Sequence, residues 1–236
     1  MTKSGSFPDR PPKLWRAYRR APRFMNYPLY LPRGLESIEA LFRRGDVPGA
    51  IAELERRSSL GSGAARAVLA FLTLQGALPT GVDLDRAAEL VRDPVASGDA
   101  YALFVMGWIY FLREKDAMLA VKAWLAGARQ GFGPSFVSIS KFNLTGFPEK
   151  PPNVTEAVAA LNGASRFGHR LAAVGAAALI ARGHGSLLER TWACVRLPGL
   201  WIRYYLAMRA DWFSDCIFMR PSRPKDPFFS PAAWGK

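Results

Sequence analysis

The sequence has very few of the residues that build metal sites and disulfide scaffolds, with two cysteines and two histidines among 236 residues. Two cysteines are too few for a disulfide scaffold, and Cys194 and Cys216 lack the Cys-x-x-Cys spacing of a zinc site. Because both lie among apolar residues, we expect two buried thiols in a reducing compartment.

Long apolar runs are also missing. The longest stretch without a charged residue runs from Ala67 to Val82 and is interrupted by two glycines and a proline. About 20 predominantly apolar residues are needed to cross a bilayer, so we expect no transmembrane helix. The first 35 residues contain six prolines and no apolar stretch of the secretory type. We therefore expect a cytoplasmic protein.

Acidic residues are scarce at the two ends of the chain, where most of the net charge of +13 lies. Residues 1–33 carry +7 and residues 184–236 carry +4, whereas residues 34–183 carry only +2. In the first segment Arg16, Arg19, Arg20 and Arg23 alternate with aromatic residues. Such a mixture binds single-stranded nucleic acid through phosphate contacts and base stacking. The alternative is an arm that packs its aromatic residues against the rest of the chain.

One spacing occurs four times in the sequence. A glycine follows an alanine after eleven residues and an apolar residue after seven. The glycines are Gly61, Gly98, Gly131 and Gly168; the alanines are Ala50, Ala87, Ala120 and Ala157; the apolar residues are Leu54, Val91, Trp124 and Leu161. A period near 36 residues is typical of a stacked helical-repeat solenoid.

Each repeat predicts a pair of helices. The alanine and the apolar residue share one face of the first helix, and the glycine ends that helix in a left-handed conformation. Four residues after the glycine comes a small residue on the second helix: Ala65, Ala102, Ser135 or Ala172. Small residues on both helices allow the two to cross closely.

The repeats resemble the Sel-one-like repeat family, a relative of the tetratricopeptide repeat. Two segments carry the pattern best, namely 120–146 (AVKAWLAGARQGFGPSFVSISKFNLTG) and 157–183 (AVAALNGASRFGHRLAAVGAAALIARG). The resemblance covers roughly 48–183. It implies an all-α superhelix, or solenoid, of about four helix pairs. It also implies a non-enzymatic scaffold or adaptor that binds protein partners, as in bacterial cell-envelope and signalling complexes, with no cofactor and no small-molecule substrate.

The resemblance also implies that partners bind the concave face, which the first helices line. The phase of the repeats selects six exposed positions on this face: Glu53, Arg56, Glu89, Arg92, Lys122 and Asn162. One departure from the pattern is Pro94, which lies within the predicted first helix of the second repeat. We expect it to shorten or kink that helix.

The sequence divides into an arm (1–33), the repeats (34–183), an apolar segment (184–218) and a proline-rich tail (219–236). Within the apolar segment, residues 187–218 predict two helices separated by Pro198 and Gly199. These helices would cover the last repeat as a C-terminal cap.

The same segment has an alternative interpretation as a contact surface. Aromatic residues and arginines are interleaved there, which suits a helix at a membrane interface or in the groove of a partner protein. The contact residues would be Trp201, Arg203, Tyr204, Tyr205, Arg209 and Trp212. The protein would then be peripheral on an anionic membrane surface.

No combination of residues indicates catalysis. The two histidines, His169 and His184, are fifteen residues apart. Ser138 and Lys141 have the bare Ser-x-x-Lys spacing, but the companion motifs of acyl-transfer enzymes are absent. We therefore expect no catalytic residue, no metal ligand and no cofactor-binding residue.

Overall fold

The computed structural model describes residues 30–92, 99–146 and 151–210, and within these ranges the chain forms ten α-helices and no strand. The helices are α1 (Glu36–Arg44), α2 (Val47–Ser59), α3 (Gly63–Leu74), α4 (Leu84–Val91), α5 (Ala100–Leu112), α6 (Ala117–Arg129), α7 (Gly133–Thr145), α8 (Val154–Arg166), α9 (Arg170–Ala181) and α10 (Leu187–Ala210). The prediction of an all-α fold is confirmed.

Four helix pairs form an α-α superhelix: α2 with α3, α4 with α5, α6 with α7, and α8 with α9. The second helix of each pair also packs on the first helix of the next pair, and α10 packs on α9. Before the first pair lies α1, which the repeat spacing does not predict. Its signal is the pair Ile38 and Phe42, one helical turn apart and both buried.

The repeat positions read from the sequence lie where the spacing predicts. All four repeat alanines have no exposed surface, and the apolar residues that follow them are at most 7% exposed. Gly61, Gly131 and Gly168 have φ angles of 90°, 82° and 85°. These left-handed angles favour glycine, which has no Cβ to clash with the backbone. Gly98 lies outside the described residues.

A further repeated position caps the first helices, and the sequence analysis missed it. An aspartate or asparagine stands fifteen residues before each repeat glycine, and its side chain accepts a hydrogen bond from a backbone N–H in the first helical turn. These residues are Asp46, Asp83, Asp116 and Asn153. Each satisfies a donor that the start of a helix leaves without a backbone partner.

Trp124 on α6 connects the second and third repeats. Its indole Nε1 donates a hydrogen bond to the backbone oxygen of Phe104 on α5, at 3.1 Å. Its ring also packs against Trp108 and Phe142, with centroids 5.0 Å and 5.1 Å away. The indole can approach the α5 backbone because Gly107 has no side chain. A Cβ there would lie 2.5 Å from Cδ1 of Trp124.

The end of the predicted arm packs against the aromatic core of the repeats. The ring of Tyr30 lies 5.2 Å from those of Tyr101 and Phe132, and Leu31 is buried in the same core. For Tyr30, these contacts agree with the alternative in which the arm packs its aromatic residues against the repeats. Arg16, Arg19, Arg20 and Arg23 lie outside the described residues, so their role stays a prediction.

Two expectations for the C-terminal segment are wrong. Helix α10 is continuous from Leu187 to Ala210, with Pro198 inside it, instead of two helices. Helix α10 packs on α9, and Ala193 before the proline and Tyr204 after it are both buried, although Pro198 cannot donate a backbone hydrogen bond. Cys194 is exposed; it follows the buried Ala193, and one residue turns a side chain by about 100° around the helix axis. Cys216 lies outside the described residues.

The second repeat has a short first helix, as Pro94 leads one to expect. Helix α4 has 8 residues and ends at Val91, whereas α2 has 13 residues. Pro94 and the residue before it lie outside the described residues, so the effect of the proline on its own neighbours stays a prediction.

Gly107→Ala should destabilise the protein by about 1–3 kcal/mol, because the added methyl group overlaps the Trp124 indole. Gly199→Ala is the matched control, since it makes the same change inside α10 with no atom within 4 Å of the new Cβ. We expect the control to be neutral or to stabilise the protein by about 0.5–1 kcal/mol. Denaturant unfolding measures both free energies; equal effects would contradict this packing.

Ser135→Ala should raise the free energy of unfolding by about 1 kcal/mol. Ser135 occupies the small-residue position at which the other repeats have alanine, and it is completely buried. Its Oγ has no hydrogen-bond partner among the described residues. Removing a buried hydroxyl without a partner removes a desolvation cost. Ser62→Ala is the contrasting variant, because that hydroxyl accepts a hydrogen bond from the Ala65 amide and its loss should destabilise.

Candidate functional site

The first helices of all four repeats expose the same positions, and we call this surface the first-helix stripe. It consists of the residues 13, 9, 6 and 2 places before each repeat glycine, all of which are exposed where the structure describes them. Its members are Pro48, Ala52, Glu55 and Ser59 on α2; Asp85, Glu89 and Arg92 on or next to α4; Met118, Lys122, Leu125 and Arg129 on α6; and Thr155, Ala159, Asn162 and Arg166 on α8.

Four of the six predicted partner-binding residues lie on the first-helix stripe: Glu89, Arg92, Lys122 and Asn162. The other two, Glu53 and Arg56, are each one residue further along α2 than the stripe positions Ala52 and Glu55. One residue turns a side chain by about 100° around a helix axis. The structure therefore brings four of the candidates onto one surface and places the other two beside it.

Glu53 and Arg56 take part in an ion-pair cluster at the side of α2. The Glu53 carboxylate accepts hydrogen bonds from Arg56 at 2.7 Å and from Arg57 at 2.8 Å. These two arginines lower the pKa of Glu53 to about 2. The depressed value means that the pairing is formed above the ordinary pKa of 4.5 and is lost only as the pH falls through about 2. Arg57 also donates to the backbone oxygen of Gly34, which ties α2 to the turn before α1.

On the α2 and α4 half of the stripe, two of the three carboxylates are paired with arginines of this chain, whereas Glu89 and Arg92 form no ion pair with any described residue. Glu55 lies 3.2 Å from Arg86, and Asp85 lies 2.7 Å from Arg113. The first pair joins the first helices of adjacent repeats and shows that they lie side by side. Exposed pairs of this kind add little stability, but they reduce the charge that this half presents to a partner.

The α6 and α8 half of the stripe presents cations and apolar side chains. Lys122, Arg129 and Arg166 form no ion pair with any residue that the structure describes. Met118 and Leu125, on either side of Lys122 on α6, are 50% and 40% exposed. Unpaired cations beside exposed apolar groups form a surface that can bind acidic and apolar side chains.

A cleft borders the α8 end of this half, between α8, α9 and α10. It has a volume of about 250 Å³, and its polar lining comprises Asn162, Ser165, Arg170, Glu189, Arg196 and Arg203 among others. Three of these six side chains are guanidinium groups and one is a carboxylate. Asn162 belongs to both surfaces, so the cleft continues the positively charged half of the stripe.

The structure is similar to one crystal structure in particular, that of a Sel1 repeat protein from Oxalobacter formigenes. The TM-score is 0.54 at 16% sequence identity, and the match covers 75% of this chain and 71% of the other. This protein has the Sel1-like (Sel-one-like) repeat fold. No family model and no curated protein matches the sequence. At this identity the likeness concerns the fold alone.

The end of the Sel1-like stack is closed by α10. Leu171 and Val174 of α9 pack against Tyr204 of α10, which is 3% exposed. Burial raises the pKa of Tyr204 to about 12. The sequence predicts Tyr204 among the membrane or partner contacts. In the structure its side chain packs on α9 instead and is buried.

The other predicted contacts on α10 lie nearer its surface. Trp201 is 44% exposed, Arg203 and Arg209 are exposed, and Tyr205 is half-buried. The Arg209 guanidinium lies 5.9 Å from the centre of the Tyr205 ring. Trp212 lies outside the described residues.

Two negative findings apply to the described residues of the Sel1-like stack. No helix is long and apolar enough to cross a membrane. No three or more side chains of histidine, cysteine, aspartate and glutamate are grouped as a metal site would require.

Proposed function

We propose that this protein is a non-enzymatic scaffold that binds a partner protein on the first-helix stripe, with α6 and α8 as the main contact. The observation that carries the proposal is the exposed Lys122 between Met118 and Leu125 on α6. Apolar side chains supply binding energy when they are buried in an interface, and the cation selects a partner with opposite charge.

The two ion pairs of the other half support the same assignment. Glu55 and Asp85 each lie against an arginine of this chain, so a partner would have to compete with an existing contact there. Lys122, Arg129 and Arg166 have no such competitor among the described residues. A partner segment with acidic and apolar residues would gain contacts on α6 and α8 without breaking any.

The cleft beside α8 extends this surface. Arg170, Arg196 and Arg203 line it together with Asn162 of the stripe. A chain that follows the stripe from α6 to α8 would reach these arginines at its end. Guanidinium groups bind carboxylates with two parallel hydrogen bonds, which adds specificity for an acidic partner.

A cytoplasmic location is part of the proposal. The exposed thiol of Cys194 is compatible with a reducing compartment, where thiols persist without forming disulfides. The fold likeness supports a scaffold role by analogy alone, because one fold hosts many functions.

The double variant Lys122→Glu and Leu125→Asp tests the stripe. Affinity purification from the protein's own cells, followed by mass spectrometry, should show at least one partner whose recovery falls about tenfold, the effect of losing roughly 1.4 kcal/mol of binding energy. The matched control is Arg44→Glu and Leu60→Asp, which makes the same changes of charge at two exposed residues outside α6 and α8.

The proposal requires that the control variant keeps the partner that the stripe variant loses. Both variants should show the helix content and unfolding midpoint of the wild type, because all four substituted residues are exposed. An identical set of partners for the wild type and the stripe variant would contradict the proposal.

A further inference from the structure

The outward side of α10 carries a line of large apolar side chains that face solvent. Leu188, Trp192, Val195, Ile202 and Leu206 follow one another at steps of 4, 3, 7 and 4 residues. Steps of this kind keep residues on one side of a helix. Their exposed fractions are 83%, 61%, 66%, 61% and 57%. The cap of a repeat stack ordinarily has a polar outer face, so capping does not account for this side of α10.

The charges of α10 favour an anionic partner. Arg190, Arg196, Arg203 and Arg209 are all exposed. The acidic residue of the helix, Glu189, accepts hydrogen bonds from the backbone N–H and the hydroxyl of Ser186, both at 2.8 Å. This carboxylate therefore caps the helix start, and the arginines dominate the field around the apolar line.

A second copy of the chain fits this surface poorly. Arg196 and Arg203 border the apolar line and are seven residues apart, which is where paired helices place their charge contacts. Two copies of α10 would bring these arginines together without carboxylates opposite them. Gly199 lies in the middle of the line. Because it has no side chain, contact between two copies of α10 would be interrupted there.

The parts of this chain outside the described residues have the same sign of charge. Residues 1–29 contain seven basic residues and one acidic residue, Asp9. Residues 211–236 contain four basic residues and three acidic ones. Neither segment supplies an excess of negative charge to match the arginines of α10.

An anionic lipid surface matches both features. Tryptophan residues favour the boundary between headgroups and acyl chains, and Trp192 on the apolar line is exposed. Arginine side chains can lay their stems along apolar surface while the guanidinium reaches a phosphate. An amphipathic helix with these residues lies in the plane of the interface.

We propose that the outward side of α10 binds the surface of an anionic phospholipid bilayer, with the helix parallel to the membrane. The binding residues are Leu188, Trp192, Val195, Ile202 and Leu206, and the flanking arginines contact lipid phosphates. This goes beyond the proposed function. Met118, Lys122 and Leu125 of the first-helix stripe take no part in it, whereas Arg196 and Arg203 also line the cleft beside α8.

Co-sedimentation of the purified full-length chain with vesicles tests the proposal. We expect binding to vesicles that contain phosphatidylglycerol, weaker binding at high salt, and little binding to phosphatidylcholine alone. Val195→Asp with Ile202→Asp should weaken binding at least about tenfold, because both side chains would leave the acyl boundary. Leu60→Asp with Val82→Asp is the control, with the same change of charge at two exposed apolar residues outside α10.

A second pair of variants and a fluorescent probe make the outcome specific. Trp192→Ser with Leu206→Ser should also weaken binding, without any change of charge. An environment-sensitive fluorophore on Cys194, in a Cys216→Ser background, should shift to shorter wavelength on anionic vesicles, because Cys194 is exposed beside Val195 on α10.

Three results would overturn the proposal. The first is no binding of the wild type to anionic vesicles at low salt. The second is equal binding by the wild type and both α10 variants, which would assign membrane contact to another part of the chain. The third is a dimer that the α10 variants dissociate, with no vesicle binding, which would make a second copy the occupant. The α10 variants leave Lys122 and Leu125 unchanged. The vesicle test and the test of the scaffold role can therefore fail independently.

Discussion

Close contact between helices at small side chains is the constraint on which the rest of this structure depends. The repeat alanines on the first helices have no exposed surface, and the small residues on the second helices are at most 1% exposed. Because no large side chain separates the backbones there, larger residues such as Trp124 can fill the space beside them. The same principle operates at Gly107, where the absence of a side chain admits the indole ring.

The stack that results has two different kinds of surface. The first helices share an exposed stripe, which carries two arginine-paired carboxylates on α2 and α4 and three cations without an ion pair to any described residue on α6 and α8. The last repeat is closed by α10, whose inner side buries Tyr204 and whose outer side exposes apolar residues. The two proposed binding surfaces are therefore centred on different helices, α6 and α8 for a protein partner and α10 for a membrane.

The repeat framework could be predicted from the sequence because it rests on local spacing repeated four times. The phase of Ala120 and Trp124 follows from that spacing, and both are buried as predicted. The continuity of α10 could not be predicted, because Pro198 favours a break and only packing on α9 overrides it. Cys194 was misjudged for a related reason: the side of α10 that faces α9 is decided by contacts between distant residues. In the candidate site, Glu53 and Arg56 were one residue off the stripe, because they stand 8 and 5 residues before Gly61, whereas the exposed positions in the other repeats stand 9 and 6 residues before the glycine.

The central claim is that small residues at the helix crossings hold the stack together. Ala157→Leu and Ala159→Leu make the same change two residues apart on α8, where Ala157 is fully buried and Ala159 is exposed. Denaturant unfolding should show that Ala157→Leu costs about 1–3 kcal/mol, whereas Ala159→Leu leaves stability within about 0.5 kcal/mol of the wild type. Equal free energies of unfolding for the two variants would contradict the account.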